Sequence, residues 1–397
     1  MRSITDEVGL AADPIGDTEE RAALRAELRR LITATSPTER SLTLDRQEMF
    51  DDELHKRLRE LDVFAIGAHP EQGGFGDIRD QIVVIEELAA GPTSMAVFSI
   101  VHYMVTHILS THGTPDQRRE WLSRLTAGTA KASFALSEAG GGTDIARAMR
   151  TKARREGGGW VISGQKTWIS GATRADVLVL LARTAPAGES SVHGITMFLV
   201  PRNTPGIHVR EIPTMAVHGL DTCEVFLDDV KLPEDAVIGE VDAGFRQVIQ
   251  TLNRERINSA AGAIGAATGA LKAAVEYARQ RPAFGSTLGA FQAIQHRLVD
   301  GALAVEAARS LLVRAAEVEA AGGRADLLSS MAKIAASEAA VKVTQDGMEI
   351  FGGAGFSLEY PMQQWFRDVR LWVFAPLAND MLRNYLGERL FGLPRSF

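Results

Sequence analysis

The spacing of apolar residues changes twice along the chain, from helical to strand-like and back. In the first third, apolar residues recur every three or four positions among charged ones, a pattern typical of surface helices. This pattern predicts amphipathic helices over Thr18–Leu31 and Asp51–Leu61 and the start of another over Ile82–Leu88. The segment Ser94–Ser110 is apolar on all sides, which is typical of a buried helix.

The middle of the chain consists of short segments rich in Val, Ile, Leu and Phe. These are DVLVLLART, HGITMFLVPR, GIHVREI and CEVFLDDVKLP, and turn-forming clusters such as REGGG and TAPAGESS separate them. Several short strands without intervening helices predict an antiparallel sheet that packs as a small barrel or sandwich.

The helical period returns at Gly239 and continues to the end of the chain. Helices are predicted over Phe291–Val318 and Ala325–Phe351, with a long one before them. That first helix carries Gly262 and Gly265, small positions at which a neighbouring helix can pack closely. Long helices of this kind pack as an antiparallel bundle.

The predicted fold is therefore α+β and mainly helical. An N-terminal helical domain is expected over 1–130, a middle β domain over 131–235 and a C-terminal helical bundle over 236–397. A length of 397 residues is sufficient for two or three domains.

Composition excludes several classes of function. The net charge is −7 and no basic run is dense enough to indicate nucleic-acid binding. Cys223 is the single cysteine, so neither an intrachain disulfide nor a cysteine-cluster metal site can form. The two histidines of the apolar helix lack a third ligand at metal spacing, so no metal site is expected.

The expected location is the cytoplasm, without a membrane span. The segment Met1–Pro14 is acidic and has no apolar core, unlike a secretory signal or a mitochondrial transit peptide. The apolar runs Met95–Val101 and Ala260–Leu271 are too short, or too rich in Ala and Gly, to cross a bilayer.

A glycine-rich loop joins two strand-like segments in the middle of the chain. The apolar run Ala132–Ser137 leads into Glu138–Asp144, and Trp160–Ser170 follows. Strand alternation predicts that Lys166 and Trp168 share one face. The glycines, the loop N–H groups and the Trp ring would suit a flat ligand that carries phosphates. From the loop alone, a hairpin with a tight glycine turn and a core Trp is the favoured interpretation.

Five blocks in order resemble the acyl-CoA dehydrogenase family. They are ALSEAGGGTD with WVISGQKTWISGA, then DTCEVFLDDVKLPEDAVIGEVDAGF, RPAFGSTLGAFQAIQHRLVD and EIFGGAGFSLEYPMQQWFRDVR. The resemblance implies an enzyme that contains FAD and dehydrogenates an acyl thioester between its α and β carbons. It further implies a thioester of CoA or of acyl carrier protein, electron transfer to an electron-transfer flavoprotein, and a homotetramer.

The resemblance also implies which residues contact the flavin. Arg281, Phe284 and Gln292 match a block that reaches a neighbouring subunit's flavin, Ser170 stands where the family usually has Thr, and Glu349 stands where Gln is common. The implied cofactor-binding residues are Phe134, Leu136, Ser137, Gly142, Thr143, Trp168, Ile169, Ser170, Arg281, Phe284, Gln292, Glu349, Gly352 and Gly353.

Substrate contacts are implied on two helices and the loop. The apolar helix Ser94–Ser110 corresponds to the family helix that lines the acyl pocket, so Met95, Phe98 and Tyr103 are expected to set substrate size. The implied substrate-binding residues are Met95, Phe98, Thr143, Asn253 and Arg256.

The catalytic base departs from the usual family pattern. After FRDVR the family usually places Tyr-Glu-Gly-Thr, with Glu as the base, but here Pro376 occupies that place. Proline has neither a carboxylate nor an N–H group. Some branches carry their base on the preceding long helix, where Glu255 is the match. Spacing alone also allows a solvated charge or a partner for Arg254, but the missing Glu favours Glu255 as the base.

Two alternatives remain open from the sequence. One is a flavin-dependent monooxygenase on the same fold, and the other, motivated by Pro376, is a non-catalytic flavin or acyl-CoA binding protein.

Overall fold

The computed structural model describes residues 17–188 and 190–395, without the side chain of Gln250. Met1–Pro14, on which the expectation about targeting segments depends, lies outside the described residues.

The N-terminal part is helical, as predicted. Thr18 and Asp51 begin two of its helices as N-caps, because their side-chain oxygens accept the N–H groups of Arg21 (3.3 Å) and Leu54 (3.1 Å). The main helices are α1 (Glu19–Thr35), α2 (Thr38–Gln47), α3 (Asp52–Glu60), α4 (Ile78–Ala89) and α5 (Thr93–His112). Helix α2 has no counterpart in the sequence-based prediction, since its few apolar positions lie among charged residues.

Helix α5 is the apolar segment of the N-terminal part. Of the helices in the described ranges, it is the one long and apolar enough to cross a membrane, and 78% of that stretch is buried inside the fold. His102 lies within its aromatic core, with ring centroids 4.9 Å from Phe64 and 6.0 Å from Phe98. The described residues contain no group of three His, Cys, Asp or Glu side chains placed to hold a metal ion.

A single eight-stranded sheet forms the middle part. Its strands are β1 (Ala132–Ala135), β2 (Lys152–Glu156), β3 (Gly159–Ser170), β4 (Val177–Arg183), β5 (Ile195–Pro201), β6 (Ile207–Glu211), β7 (Thr222–Pro233) and β8 (Val237–Ile238). Their order is β6-β7-β3-β2-β4-β5-β8, with β1 paired to β4.

The sheet differs from the predicted barrel or antiparallel sandwich in two ways. It does not close, because β6 and β8 remain at opposite ends of the strand order. It is also not wholly antiparallel, because β1 and β4 run parallel, with Ala132 opposite Val177 and Ala135 opposite Leu180. The β2–β3 hairpin lies between β1 and β4 in the chain, and such a crossover permits parallel pairing.

Helices form the C-terminal part. They are α6 (Gly244–Gln280), α7 (Gln292–Ala320), α8 (Asp326–Phe351), α9 (Met362–Asp368) and α10 (Asn379–Phe391), with a short helical turn at Leu371–Phe374. A two-stranded hairpin, Pro282–Ala283 with Ser286–Thr287, separates α6 from α7. The predicted helices over Phe291–Val318 and Ala325–Phe351 are confirmed within two residues at each end.

Glycines on α6 let its backbone approach the elements around it. A Cβ atom added at Gly265 would lie 2.2 Å from the carbonyl oxygen of Glu86 on α4, and one at Gly262 would lie 2.7 Å from the Trp372 ring. Neither distance is possible for a real side chain, so the glycines are required for this packing. The prediction that these positions permit close helix packing is confirmed.

We expect Gly265→Ala to reduce the free energy of unfolding by about 1–3 kcal/mol, the usual cost of overpacking a core. The methyl group would meet backbone rather than a flexible side chain. Gly387→Ala on α10 is the control, since its Cβ would meet only Leu393 at 3.6 Å. That change should stabilise the protein by about 0.5–1 kcal/mol through helix propensity. Denaturant unfolding of both variants tests the prediction, and an equal effect of the two changes would contradict it.

Candidate active site

The end of strand β3 presents an aromatic ring to solvent. Trp168 is 61% exposed and has φ 62°, an uncommon conformation for a bulky residue. The pairing of β3 with β7 shifts register between Lys166 and Ile169, so strand alternation fails there. The prediction that Lys166 and Trp168 share a face is therefore wrong, because Lys166 is fully buried. Strained backbone that exposes a large ring is a common feature of ligand sites.

A buried ion pair holds the glycine-rich loop against β3. The Lys166 ammonium donates to the Glu138 carboxylate at 2.8 Å and to the Leu136 carbonyl at 3.1 Å. The same carboxylate accepts the N–H groups of Arg150 (2.6 Å) and Thr151 (3.0 Å). Burial lowers the pKa of Lys166 to about 8 although Glu138 acts in the opposite direction. Sequence reasoning missed this pair, for which the signal was a lysine in the middle of a strand-like segment that is rich in β-branched and aromatic residues.

The loop itself remains open to solvent. Gly142 has φ 47° and no atom within 4 Å of an added Cβ, and Thr143 next to it is exposed. Phe134, Leu136 and Ser137 are half-buried at its start. A ligand could approach the loop backbone closely here.

Three of the expected contact residues lie in the core. Ile169 is 1% exposed within the sheet, so only its backbone is available to a ligand. Met95 (1% exposed) and Phe98 (5% exposed) are likewise buried. Phe98 and Ser170 line one small cavity together with Lys131 and Arg174, so the structure brings the apolar helix and the end of β3 together.

The expected contacts from the C-terminal part gather at one end of the bundle. Arg281 and Gln292 are exposed on either side of the hairpin, and Phe284 at its tip is 98% exposed with φ 48°. The Tyr277 ring, one turn before Arg281, stacks on Phe351 at 4.2 Å. The end of α8 is thereby packed beside the hairpin.

Glycines at the end of α8 leave space beside this hairpin. Gly352 has φ 58°, and neither it nor Gly353 has an atom within 4 Å of an added Cβ. Glu349 precedes them on the surface, where its carboxylate pairs with Arg297 and accepts from Gln345 at 3.0 Å. These contacts hold the pKa of Glu349 below its usual range.

The two sets of expected flavin contacts are not joined within one chain. One set lies around Trp168 on the sheet, and the other lies around Arg281 on the bundle. No hydrogen bond or ion pair among the residues that the structure describes links these sets directly.

Glu255 is a partly buried carboxylate that has no partner among the described residues. It lies partly buried on α6, and no described side chain forms a hydrogen bond or an ion pair with it. Burial raises its pKa to about 7, although the positive charge of Arg256 acts in the opposite direction. A carboxyl group with a pKa near neutrality can both accept and return a proton at physiological pH.

The arginines on either side of Glu255 point to other partners. Arg254 lies 3.9 Å from Glu319, so the alternative that Glu255 serves as its ion-pair partner has no support in the structure. Arg256 donates to Asn253 at 3.3 Å and has no carboxylate within 4 Å among the described residues. Burial lowers the pKa of both guanidinium groups.

The helical turn that precedes Pro376 contacts the face of α6 that carries Glu255. Trp372 packs on Gly262, which lies seven positions after Glu255 and therefore on the same side of the helix. Asp368, the nearest buried carboxylate in the terminal block, accepts the Val217 N–H at 2.7 Å. Burial raises the pKa of Asp368 to about 6. This carboxylate, however, serves to join the end of α9 to the loop before β7.

Three family models match the chain in order. They describe the N-terminal (18–129), middle (133–230) and C-terminal (242–391) domains of acyl-CoA dehydrogenases. The chain belongs to the acyl-CoA dehydrogenase family, whose members are flavoprotein oxidoreductases.

Relatives align along nearly the whole chain. The bovine mitochondrial short-chain specific acyl-CoA dehydrogenase is 37% identical over 358 residues, which cover 89% of this chain and 86% of that protein. The probable acyl-CoA dehydrogenase fadE25 of Mycobacterium leprae is 34% identical over 390 residues, which cover 96% of this chain and 99% of that protein.

Solved structures share the fold. Butyryl-CoA dehydrogenase from Megasphaera elsdenii superposes with a TM-score of 0.90 at 30% identity, covering 96% of this chain and 100% of that one. A chain from the structure of the electron transferring flavoprotein of Acidaminococcus fermentans superposes with a TM-score of 0.90 at 29% identity, covering 95% of this chain and 99% of that one. A glutaryl-CoA dehydrogenase from Mycobacterium smegmatis in complex with FADH2 superposes with a TM-score of 0.89 at 26% identity, covering 96% of each chain.

The exposed Trp168, the open glycines and the exposed Arg281 suit a large ligand with a flat ring and phosphates. Trp168 offers an apolar face with little protein against it, and Gly142, Gly352 and Gly353 leave space for close backbone approach. The residues present therefore fit a flavin dinucleotide.

The free energy of unfolding of Glu255→Gln should exceed that of the wild type by an amount that grows as the pH rises from 5 to 8. In the folded chain the carboxyl group has a pKa of about 7, above its ordinary value of 4.5, so the folded state binds the extra proton between these values. Wild-type stability therefore falls as the pH rises through this window, and the amide is free of this cost. Unfolding free energies across the pH range test the prediction. Glu338→Gln, at an exposed position, is the control, and a pH-independent difference for Glu255→Gln would contradict the assignment.

Proposed function

We propose that this protein is an FAD-dependent acyl-CoA dehydrogenase in which Glu255 removes the α proton of the acyl thioester. The observation that carries the proposal is a partly buried carboxylate, without a partner among the described residues, at the family's alternative base position in a chain that has proline at the usual one. The family membership supplies the reaction class, dehydrogenation of a CH–CH bond.

Residues from both sets described above would hold the cofactor. Trp168 would cover the flavin ring, the Gly142 loop would lie at the phosphates, and Ser170 would donate near the ring. Arg281 and the Gly352–Gly353 pair would contact the dinucleotide of a neighbouring subunit. Bound FAD would supply the acceptor for the hydride that leaves the β carbon.

Glu255 accepts the proton from the α carbon in this proposal. Its pKa of about 7 makes it a stronger base than an ordinary carboxylate, while it remains largely ionised slightly above neutrality. The absence of an ion-pair partner among the described residues leaves both oxygens free for the substrate.

Arg256 is the proposed source of positive charge near the thioester oxygen. Proline at position 376 has no N–H to donate there. The Arg256 guanidinium lies next to Glu255 in sequence, and its one described hydrogen bond, to Asn253, leaves further donors available. A donor of this kind stabilises the negative charge that develops on the oxygen as the α proton leaves.

A homotetramer with flavin sites shared between subunits is part of the proposal. Large apolar side chains remain exposed on the bundle, among them Phe284 (98%), Phe356 (86%) and Leu303 (64%). Exposed apolar surface of this extent is typical of a subunit interface. The proposed electron acceptor is an electron-transfer flavoprotein, and the structural neighbour from Acidaminococcus fermentans supports this choice.

Anaerobic mixing with a panel of acyl-CoA thioesters tests the reaction. Bleaching of the oxidised flavin by at least one thioester is expected. Binding without bleaching by every thioester, including carrier-protein thioesters, would overturn the proposal.

FAD retention should depend on Trp168 and Arg281. We expect purified protein to be yellow with about one FAD per chain, and Trp168→Ala and Arg281→Ala to weaken FAD binding tenfold or more through lost stacking and lost charge. Arg279→Ala, at an exposed arginine one half-turn earlier on α6, is the matched control. Equilibrium dialysis with flavin fluorescence gives the affinities. A colourless wild-type protein that does not take up FAD would contradict the cofactor assignment.

Glu255→Gln should keep FAD and bind acyl-CoA but reduce the flavin more slowly by about a hundredfold or more, the scale of a positioned general base. In the wild type the reduction rate should rise with pH with a midpoint of about 7, because Glu255 accepts a proton only when ionised. The amide variant should lose this pH dependence. Stopped-flow absorbance measures the rates.

Two aspartates in the terminal block serve as controls. Asp380→Asn changes a side chain that is 95% exposed. Asp368→Asn changes the buried carboxylate that accepts the Val217 N–H. A wild-type rate in Glu255→Gln together with a slow Asp380→Asn would show that the base lies elsewhere.

A further inference from the structure

Lys333 is a buried lysine that pairs with backbone and amide oxygens instead of a carboxylate. It lies on α8 with 0% exposure, and no carboxylate of the described residues lies within 4 Å of its ammonium. Burial, together with the charge of Arg256, lowers its pKa to about 8. A buried ammonium is costly unless all its donors are satisfied, so its three acceptors show what it does.

All three acceptors belong to residues 373–379, which we call the Pro376 turn. Lys333 donates to the Leu377 carbonyl at 2.7 Å, the Asn379 side chain at 2.8 Å and the Val373 carbonyl at 3.2 Å. These acceptors lie on both sides of Pro376 in sequence. One side chain therefore holds both ends of the turn.

Lys333 belongs to a polar seam on α8, formed by Ser329, Lys333 and Ser337. These residues are four apart, so they lie on one face of the helix, and all three have 0% exposure. Ser329 lies 3.5 Å from Asn253 on α6, two positions before Glu255. Ser337 accepts from the Asn379 amide at 2.9 Å and donates back to it.

The seam therefore connects the neighbourhood of Glu255 to the Pro376 turn. Ser329 and Lys333 are separated by one helical turn, a rise of about 6 Å. The turn also continues from Trp372, which packs on the face of α6 that Glu255 shares. Residues of α8 thus contact both the Pro376 turn and Asn253, two positions before Glu255.

We propose that Lys333 is a positioning residue for the reaction, which fixes the Pro376 turn as the wall of the acyl pocket beside Glu255. The inference rests on the proposed function for the nature of the pocket, whereas the hold on the turn rests on the hydrogen bonds above. Pro376 offers no N–H to anchor the turn, so the lysine anchors it through carbonyl oxygens.

The test compares Lys333→Met with Lys342→Met in the FAD-loaded protein. Methionine is of similar length but donates nothing, and Lys342 lies on the same helix at the surface, paired with Asp346 at 2.6 Å. Hydrogen–deuterium exchange should become on the order of tenfold faster or more in peptides spanning Leu371–Asn379 of Lys333→Met, because their anchor is lost. Exchange in strand β3 and all exchange in Lys342→Met should stay unchanged.

Flavin reduction provides the second measurement. At saturating acyl-CoA, the rate in Lys333→Met should fall on the order of tenfold or more at unchanged FAD content, since a displaced pocket wall misaligns the thioester. Exchange at the turn and reduction both within twofold of wild type would overturn the inference. Acceleration of exchange throughout the protein would also overturn it, because that result indicates a general stabilising role.

A second variant keeps the inference testable if Lys333→Met does not fold. Asn379→Ala removes one of the three acceptors and leaves the lysine in place. It should accelerate exchange of the turn and slow reduction in the same direction by a smaller factor, and no local change would overturn the inference. If wild-type protein bleaches with no thioester, the proposed function fails, while the exchange measurement still decides whether Lys333 holds the turn.

Discussion

Close packing around helix α6 is the constraint on which the rest of the structure depends. Gly265 lets the α6 backbone approach α4, and Gly262 lets Trp372 lie directly on the helix. A helix this closely surrounded carries its polar side chains into the interior with it. Glu255 lies on that helix, where partial burial raises its pKa.

Lys166, Lys333 and Glu255 are charged side chains removed from solvent to different degrees, and they differ in their partners. Lys166 is paired with Glu138 at 2.8 Å and serves to hold the loop on the sheet. Lys333 is satisfied by oxygen atoms and holds the Pro376 turn. Glu255 has no partner of either kind among the described residues. A carboxylate left without a partner costs stability, and the role of base proposed above would account for retaining it.

Most of the architecture could be predicted from the pattern of apolar residues. The switch from helical to strand-like spacing of apolar residues and back indicated helices, a sheet and helices, and the same spacing indicated helices that begin near Thr18 and Asp51. Two features of the sheet could not be predicted. Strand alternation is a local rule, so it could not show the register shift after Lys166 or the parallel pairing of β1 with β4.

The sequence by itself determined the succession of elements, the family resemblance, and the absence of a carboxylate at position 376. These follow from residue type and order along the chain, which need no knowledge of neighbours in space. The tertiary structure alone decided which charges meet. It paired Arg254 with Glu319, Lys166 with Glu138 and Lys333 with the Pro376 turn, and it left Glu255 without a described partner. Pairing and desolvation depend on distances between residues far apart in the chain, and no local pattern contains those distances.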